Sequence, residues 1–394
     1  MLVYARLRLF RGPGGQNLRL ARAVLVRDNH LAPQGFRALQ QVLSMSIEEP
    51  PPHVRRKRYR GTHPRKFEEK YKELDPQKFA ADVEKVIARG QTPAGTHRPI
   101  CVNEILAILH PGPGQTSLDA TLGFGGHTQA ILPLLLPGGR HFAVDVDAIE
   151  LPRTEARLRK AGFSKEVLVI HKMNFAGIAQ LLPEAGGGFD CILADLGVSS
   201  MQLDDPTRGF SYKNDGPLDL RLNPTRGAPA SALLQSKTEQ GLAEMLTKNA
   251  DEPHAQLIAQ QIKKSSSPVL TTKQLTDVVR TALLGFPEIK DHKKTLARTF
   301  QALRIAVNDE FGVLDRFLDV LPWCMKPGAR VAILTFHSGE DFRVEQAFQK
   351  FLQSGIYSST ALDPLRPAPE EQRSNPRSTS AKLRWAIRSN FPAF

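Results

Sequence analysis

From about residue 100 onward, apolar runs alternate with amphipathic stretches. "VNEILAIL" (102–109) places its apolar residues at helical spacing and predicts a helix. "SLDATL" (117–122) predicts a buried strand, followed by a glycine cluster and a helix from about Thr128. "RHFAVDVD" (140–147) predicts a second strand ending in two carboxylates, "EVLVIHKM" (166–173) a third and "FDCILADLG" (189–197) a fourth. Strands separated by helical segments imply parallel βαβ units in a doubly wound α/β sheet. The alternation stops near residue 209. Residues 209–298 hold helical stretches such as "TEQGLAEMLTK", "HAQLIAQQIKK" and "TKQLTDVVRTALL", with no convincing strand. Sheet-like pattern resumes with "ARVAILTFHS" (329–338). The expected organisation is therefore an α/β domain over 96–208 and 299–394, interrupted by a helical insertion over 209–298.

Ahead of this lies a different composition. Residues 50–66, "PPPHVRRKRYRGTHPRK", form a basic arm, and "KFEEKYKELDP" predicts a short charged helix within 45–95. Residues 1–44 carry seven Arg (Arg6, Arg8, Arg11, Arg19, Arg22, Arg27 and Arg37) and one acid, Asp28. This resembles an organelle transit peptide, but no Ser precedes Ser44. A start at Met45 is the other reading. The location is expected to be cytoplasmic, with a mitochondrial matrix or plastid stroma as the alternative if the extension is a transit peptide.

Charge narrows the class of partner. The 394 residues carry a formal net charge of +13, which favours a polyanion such as nucleic acid. Three dispersed cysteines, Cys101, Cys191 and Cys324, with no CxxC pair, predict neither a disulfide framework nor a zinc site. The apolar run "ILPLLLP" is far shorter than the roughly 18 residues of a membrane span.

Three strand ends carry candidate chemistry. In "LGFGGHT", Gly123, Gly125 and Gly126 allow a tight turn and close approach of backbone to a ligand. A dinucleotide fingerprint would place a third glycine where Thr128 stands. Asp145, about 20 residues on, can accept both ribose hydroxyls of a nucleoside, which suits NAD or S-adenosylmethionine (AdoMet). Asp147 is the better candidate for a helix cap. In "ILADLGVSSMQLD", Asp195, Ser199, Ser200 and Gln202 fall at the carboxyl end of the fourth strand, where Asp195 can accept a hydrogen bond from an amine. From the residues alone His127 is either a helix cap or a ligand contact.

The motifs "GTHPRKFEEKYKEL", "HRPICVNEIL", "LDATLGFGGHT", "DLGVSSMQLDDPTRGFSYKNDGPLDLRLNPTRG", "TFQALRIAVNDEF", "RVAILTFHSGED" and "NPRSTSAKLRWA" resemble the ribosomal RNA small-subunit methyltransferase H family, from about Arg56 to Arg388. The resemblance implies a Rossmann-like AdoMet-dependent methyltransferase sheet with an inserted all-helical domain. It implies methylation of N4 of a cytidine in small-subunit ribosomal RNA, free or in the assembled subunit. It assigns Gly125, Gly126, His127, Asp145, Phe175, Asp195 and Gln202 to the AdoMet pocket, with Asp195 also facing the amine. Phe342 stands where relatives often carry Arg, and the N-terminal arm marks a longer subfamily.

On the substrate side, Arg208, Arg221 and Arg226 are interleaved with Phe210 and Tyr212, a mixture that suits single-stranded RNA. The alternative is local ion pairing with Asp215 and Asp219. Asn308, with Arg304 one turn away, either faces the cytidine or braces the core. His337 and Ser338 either wall the substrate or close a turn. An AdoMet-binding assembly factor with little catalysis is the competing function; a nicotinamide oxidoreductase is disfavoured by Thr128. A homodimer is left open.

Overall fold

A computed structural model of the protein describes residues 99–286 and 291–390. The extension over 1–44 and the basic arm and short helices expected over 45–95 lie outside the described residues. Seven strands form one sheet: β1 (Thr116–Asp119), β2 (Arg140–Asp145), β3 (Leu168–Lys172), β4 (Phe189–Asp195), β5 (Met325–Thr335), β6 (Tyr357–Thr360) and β7 (Lys382–Arg388). Their order is β3-β2-β1-β4-β5-β7-β6. The first five are parallel, and β7 runs antiparallel to both β5 and β6. Helices α1 (Val102–Leu109), α2 (Gly126–Leu135) and α3 (Glu150–Lys160) lie among the early strands. The sheet is Rossmann-like.

Runs such as "FDCILAD" are apolar at successive positions because a strand covered on both faces must bury both sets of side chains. Cys191 and Leu193 pack with α1 and α2, whereas Ile192 and Ala194 face the opposite layer. That layer includes α10 (Glu310–Cys324) and α11 (Ser338–Gln353). After β3 the chain returns to place β4 on the free side of β1, so the order reverses between β1 and β4. Open α/β sheets take ligands at such a switch point, beyond the carboxyl ends of the strands. Three strands end there on a carboxylate: Asp119, Asp145 and Asp195.

Between β4 and β5 come α4 (Ser200–Asp204), α5 (Ala230–Ser236), α6 (Glu239–Ala250), α7 (Ala255–Lys264), α8 (Thr272–Leu283) and α9 (His292–Asn308). Phe210, Leu218, Leu220 and the apolar faces of α5–α9 make a second core. Leu296, Phe300 and Leu303 of α9 belong to it, so the helical part runs past the expected boundary at 298. Their three- and four-residue spacing keeps one face of α9 buried along its length.

The sequence reading does not foresee β6 and β7. In β7, Arg384 is 4% exposed and interrupts the apolar run. It is tolerated because Asp341 of α11 accepts its Nε at 2.7 Å. Among the described residues no helix is long and apolar enough to cross a membrane.

Candidate active site at the carboxyl edge of the sheet

The turn after β1 is built from backbone that side chains disfavour. Gly123 and Gly125 have φ of 47° and 72°, in the left-handed region where glycine is the low-energy choice. Gly126 opens α2, and a Cβ there would lie 2.4 Å from Pro99 Cγ. The Arg157 guanidinium of α3 stacks over the Phe124 ring at 3.5 Å from its centroid and donates to the Phe124 carbonyl.

Thr128, in place of a third glycine, has a buried task. Its hydroxyl donates to Asp119 Oδ2 at 2.8 Å and lies 3.0 Å from His141 Nε2. His141 Nδ1 in turn meets Ser117 Oγ at 2.5 Å. Burial pushes His141 down to about 3 and raises Asp119 above the usual carboxylate range. A neutral His141 that accepts at Nδ1 donates at Nε2, so one chain of donors runs Ser117, His141, Thr128, Asp119. It joins β1, β2 and α2 directly beneath the glycine corner.

Asp145 accepts Gly123 N–H at Oδ2 (2.7 Å) and Asp147 N–H at Oδ1 (2.9 Å). Each oxygen keeps lone-pair capacity for a further donor, as two vicinal ribose hydroxyls require. Desolvation raises its carboxyl to about 6, against the lowering effect of the two N–H donors. Asp147 turns the other way. Its Oδ1 accepts the N–H groups of Ile149 and Glu150 at the start of α3, and its Oδ2 accepts Gln202 Nε2 (2.6 Å) and Arg208 Nη1 (2.8 Å).

Asp195 closes β4. Its N–H donates to Thr121 Oγ1 at 2.6 Å, and its Oδ2 lies 3.5 Å from His127 Nε2. Asp195 Oδ1 and His127 Nε2 are both buried without a hydrogen-bond partner among the described residues. Buried polar atoms of this kind call for a ligand donor or acceptor.

A cavity of about 810 Å³ opens over these groups. The structure brings Gly125, Gly126, His127, Asp145, Phe175, Asp195 and Gln202 together in its lining, with Val146 and Met173 adding apolar wall. Phe175 is held edge-on to Phe317 at 5.1 Å between centroids. The donor set fits AdoMet: a carboxylate for ribose, apolar side chains for adenine, glycine backbone for close approach, and buried polar atoms facing the space. Gln202 contributes its surface rather than its amide, because Nε2 is taken by Asp147 and Oε1 by Ser199 N–H (2.8 Å) in a capping box at α4.

None of Arg208, Arg221, Asn308, His337 and Ser338 lines the cavity. Arg208 is 4% exposed and, besides Asp147, donates to the carbonyls of Leu222 (2.9 Å) and Arg221 (3.2 Å). A buried Asp147 needs that countercharge, which turns Arg208 away from an RNA-facing position. Arg221 is paired through Nε and Nη2 with both oxygens of Asp219 at 2.8 and 2.7 Å, the local ion pair weighed above. Asn308 braces the loop, accepting Leu222 N–H and donating to Leu220 O, both at 2.8 Å. His337 caps α11, and its Nε2 lies 3.3 Å from Glu340 Oε1. Ser338 Oγ is 3.5 Å from Asp251 Oδ2.

The lining also holds Arg304, weighed with Asn308 in the sequence, and groups the sequence reading passed over, namely Thr121, Asn375, Arg377 and Ser380. "NPRSTS" was visible only as part of the family resemblance. Nothing in its own pattern says that it returns to the sheet edge.

Residues 94–389 match the MraW methylase family. The chain is similar to Ribosomal RNA small subunit methyltransferase H 1 of Lachnoclostridium phytofermentans, 50% identical over 367 residues that cover 91% of this chain and 100% of that protein. It is 53% identical over 341 residues to Ribosomal RNA small subunit methyltransferase H 2 of Alkaliphilus metalliredigens, covering 85% and 97%. Ribosomal RNA small subunit methyltransferase H of Halorhodospira halophila is 38% identical over 321 residues, covering 77% and 97%. With a match that takes in every strand of the sheet, the glycine corner and all three strand-end carboxylates, the chain belongs to the MraW methylase family.

Proposed function

We propose that the protein transfers a methyl group from AdoMet to N4 of a cytidine in small-subunit ribosomal RNA, with the cavity between Asp145 and Asp195 as its active site. The observation that carries this reading is Asp195 Oδ1, without a hydrogen-bond partner among the described residues, set at the end of β4 beside the glycine corner with β1 between it and β2, whose last residue is Asp145. Bound AdoMet supplies an electrophilic methyl group on a sulfonium sulfur. Asp145 holds the ribose hydroxyls, Phe175 and Met173 wall the adenine, and the Gly125–Gly126 backbone lets the cofactor lie close to the sheet.

Asp195 acts on the nucleophile. A cytosine amine is weakly basic, and its nitrogen gains acidity only as the new N–C bond forms. Asp195 Oδ1 accepts one amine hydrogen, which aims the nitrogen lone pair, and takes the proton late. The Thr121 hydroxyl fixes the Asp195 backbone, and His127 Nε2 neighbours its other oxygen. A base reaches Asp195 only if unpaired or flipped out of a duplex. Leu222 and Arg304, from the helical part, complete the lining. This supports a role for that part in receiving the RNA. The reading places the protein where ribosomal subunits are made, the bacterial-type cytoplasm.

The test is methyl transfer to isolated small subunits with AdoMet, followed by mass-spectrometric mapping of N4-methylcytidine. The wild type should introduce one such nucleotide. Asp195→Asn should lower turnover at saturating AdoMet by roughly a hundredfold, the low end for a lost acid–base group. Unchanged turnover would remove Asp195 from the chemistry, and absence of the product with wild type would remove the substrate assignment.

A further inference from the structure

We infer that Arg377 is a phosphate-binding residue of this site, where a backbone phosphate of the RNA strand that carries the target base competes with Asp204 for its guanidinium. The inference deepens the proposed function and rests on it. Residues Pro376–Ser380 form a 3₁₀ turn directly before β7. Because β7 is antiparallel to β5 and begins with Lys382 opposite Thr335, the last residue of β5, the turn arrives at the same edge where Asp145 and Asp195 end. Its base is fixed. Ser378 is fully buried with its hydroxyl on the Asn375 carbonyl (2.8 Å), and Asn375 N–H donates to Glu371 O (2.7 Å). The Glu371 carboxylate accepts Cys101 N–H at 3.1 Å, tying the turn to the rim formed by Pro99 and Ile100.

The charges of the cavity single out Arg377. Among the described lining residues the carboxylates are Asp145 and Asp195, and the Arg and Lys side chains are Arg304 and Arg377. Arg304 is locked onto Glu310 by two bonds of 2.8 and 2.9 Å, with side chains only 14% and 13% exposed. Arg377 meets Asp204, the last residue of α4, through a bond of 2.8 Å, and the pair is 36% and 22% exposed. A phosphate, with its higher charge density, competes with the Asp204 carboxylate for this partly exposed guanidinium. The guanidinium fork matches two oxygens of one phosphate. An RNA strand that delivers a base to Asp195 brings a phosphate with every nucleotide. The exposed Ser380 hydroxyl lies three residues further along the same wall. The competing anion is the methionyl carboxylate of AdoMet, which the test separates.

The experiment uses the full chain. Affinity for a small-subunit ribosomal RNA fragment is measured across a salt series, and AdoMet affinity by calorimetry, for wild type, Arg377→Ala, Arg377→Lys and Asp204→Asn. Arg377→Ala should weaken RNA binding about tenfold, the loss expected for one charge-assisted contact, and reduce the slope of log K against log salt by about 0.7 to 0.9. Its AdoMet affinity should stay within about twofold, inside the scatter of a surface substitution. Arg377→Lys should keep the slope, since an ammonium also meets a phosphate. Asp204→Asn should keep it too and bind RNA no more weakly. An unaltered slope in Arg377→Ala overturns the inference. So does a matching loss of AdoMet affinity, which would put the cofactor carboxylate on Arg377. Equal RNA losses in Arg377→Ala and Asp204→Asn would make the pair a structural clasp. If wild type neither binds nor methylates small-subunit RNA, the functional reading fails with it. If wild type does both and the Arg377→Ala slope is unchanged, only the Arg377 inference fails.

Discussion

Protonation of Asp145 should control cofactor affinity. Its carboxyl sits at about 6 because burial opposes the charge more than the Gly123 and Asp147 N–H groups support it. Two ribose hydroxyls donate best to the ionised form, so apparent affinity follows the ionised fraction. With a folded value of about 6, the carboxylate is nearly fully ionised at about pH 8 and about a tenth ionised at about pH 5, which weakens AdoMet binding roughly tenfold between them. Stability moves in the opposite sense. The folded protein binds more protons than the unfolded chain between about pH 4 and about pH 6, so this group's contribution to stability falls as pH rises across that window. Asp145→Asn cannot ionise and presents an N–H₂ to a backbone N–H. It should bind AdoMet at least roughly tenfold more weakly than wild type at about pH 8, the effect of one lost charge-assisted hydrogen bond. The assay is calorimetric titration of both proteins across this pH range, with the Asn variant subtracting the ligand's own titration. A wild-type profile that parallels the Asn variant would refute the assignment of Asp145 to the ribose.

Two further substitutions test the frame around the site. Thr128→Val keeps the shape but strips partners from Asp119 Oδ2 and His141 Nε2, and should cost about 2 to 4 kcal/mol in urea unfolding, while Thr128→Ser should cost about 1 kcal/mol; equal losses in the two would sink the hydrogen-bonded chain. Arg208→Ala leaves Asp147 buried and without its countercharge and should cost about 3 to 5 kcal/mol, with part recovered by adding Asp147→Asn. If Arg208→Ala instead unfolded like wild type and lost only RNA affinity, Arg208 would belong to the substrate and not to the brace.

Local pattern carried much of the fold. The apolar runs of β1–β5 and the helical spacing of "VNEILAIL" are properties of neighbouring residues, and α1 forms over those eight residues. The glycine corner and the strand-end carboxylates were legible for the same reason, since a turn and a strand terminus are set by a few consecutive positions. Pairings between distant segments were not legible. Thr128 reads as a missing glycine until β2 brings His141 beside it. Arg208 reads as an RNA contact until Asp147, 61 residues earlier, is found buried against it. Arg384 hides a strand because the Asp341 that allows its burial lies on another element. Arg377 belongs to the site only because β7 folds back along β5. The sequence by itself determined the first five strands, the helices with clear apolar spacing, and the glycine corner with Asp145 and Asp195 at the sheet edge. The tertiary structure alone decided which charges face the cavity and which neutralise each other, because that depends on burial and on partners that chain folding brings together from far apart.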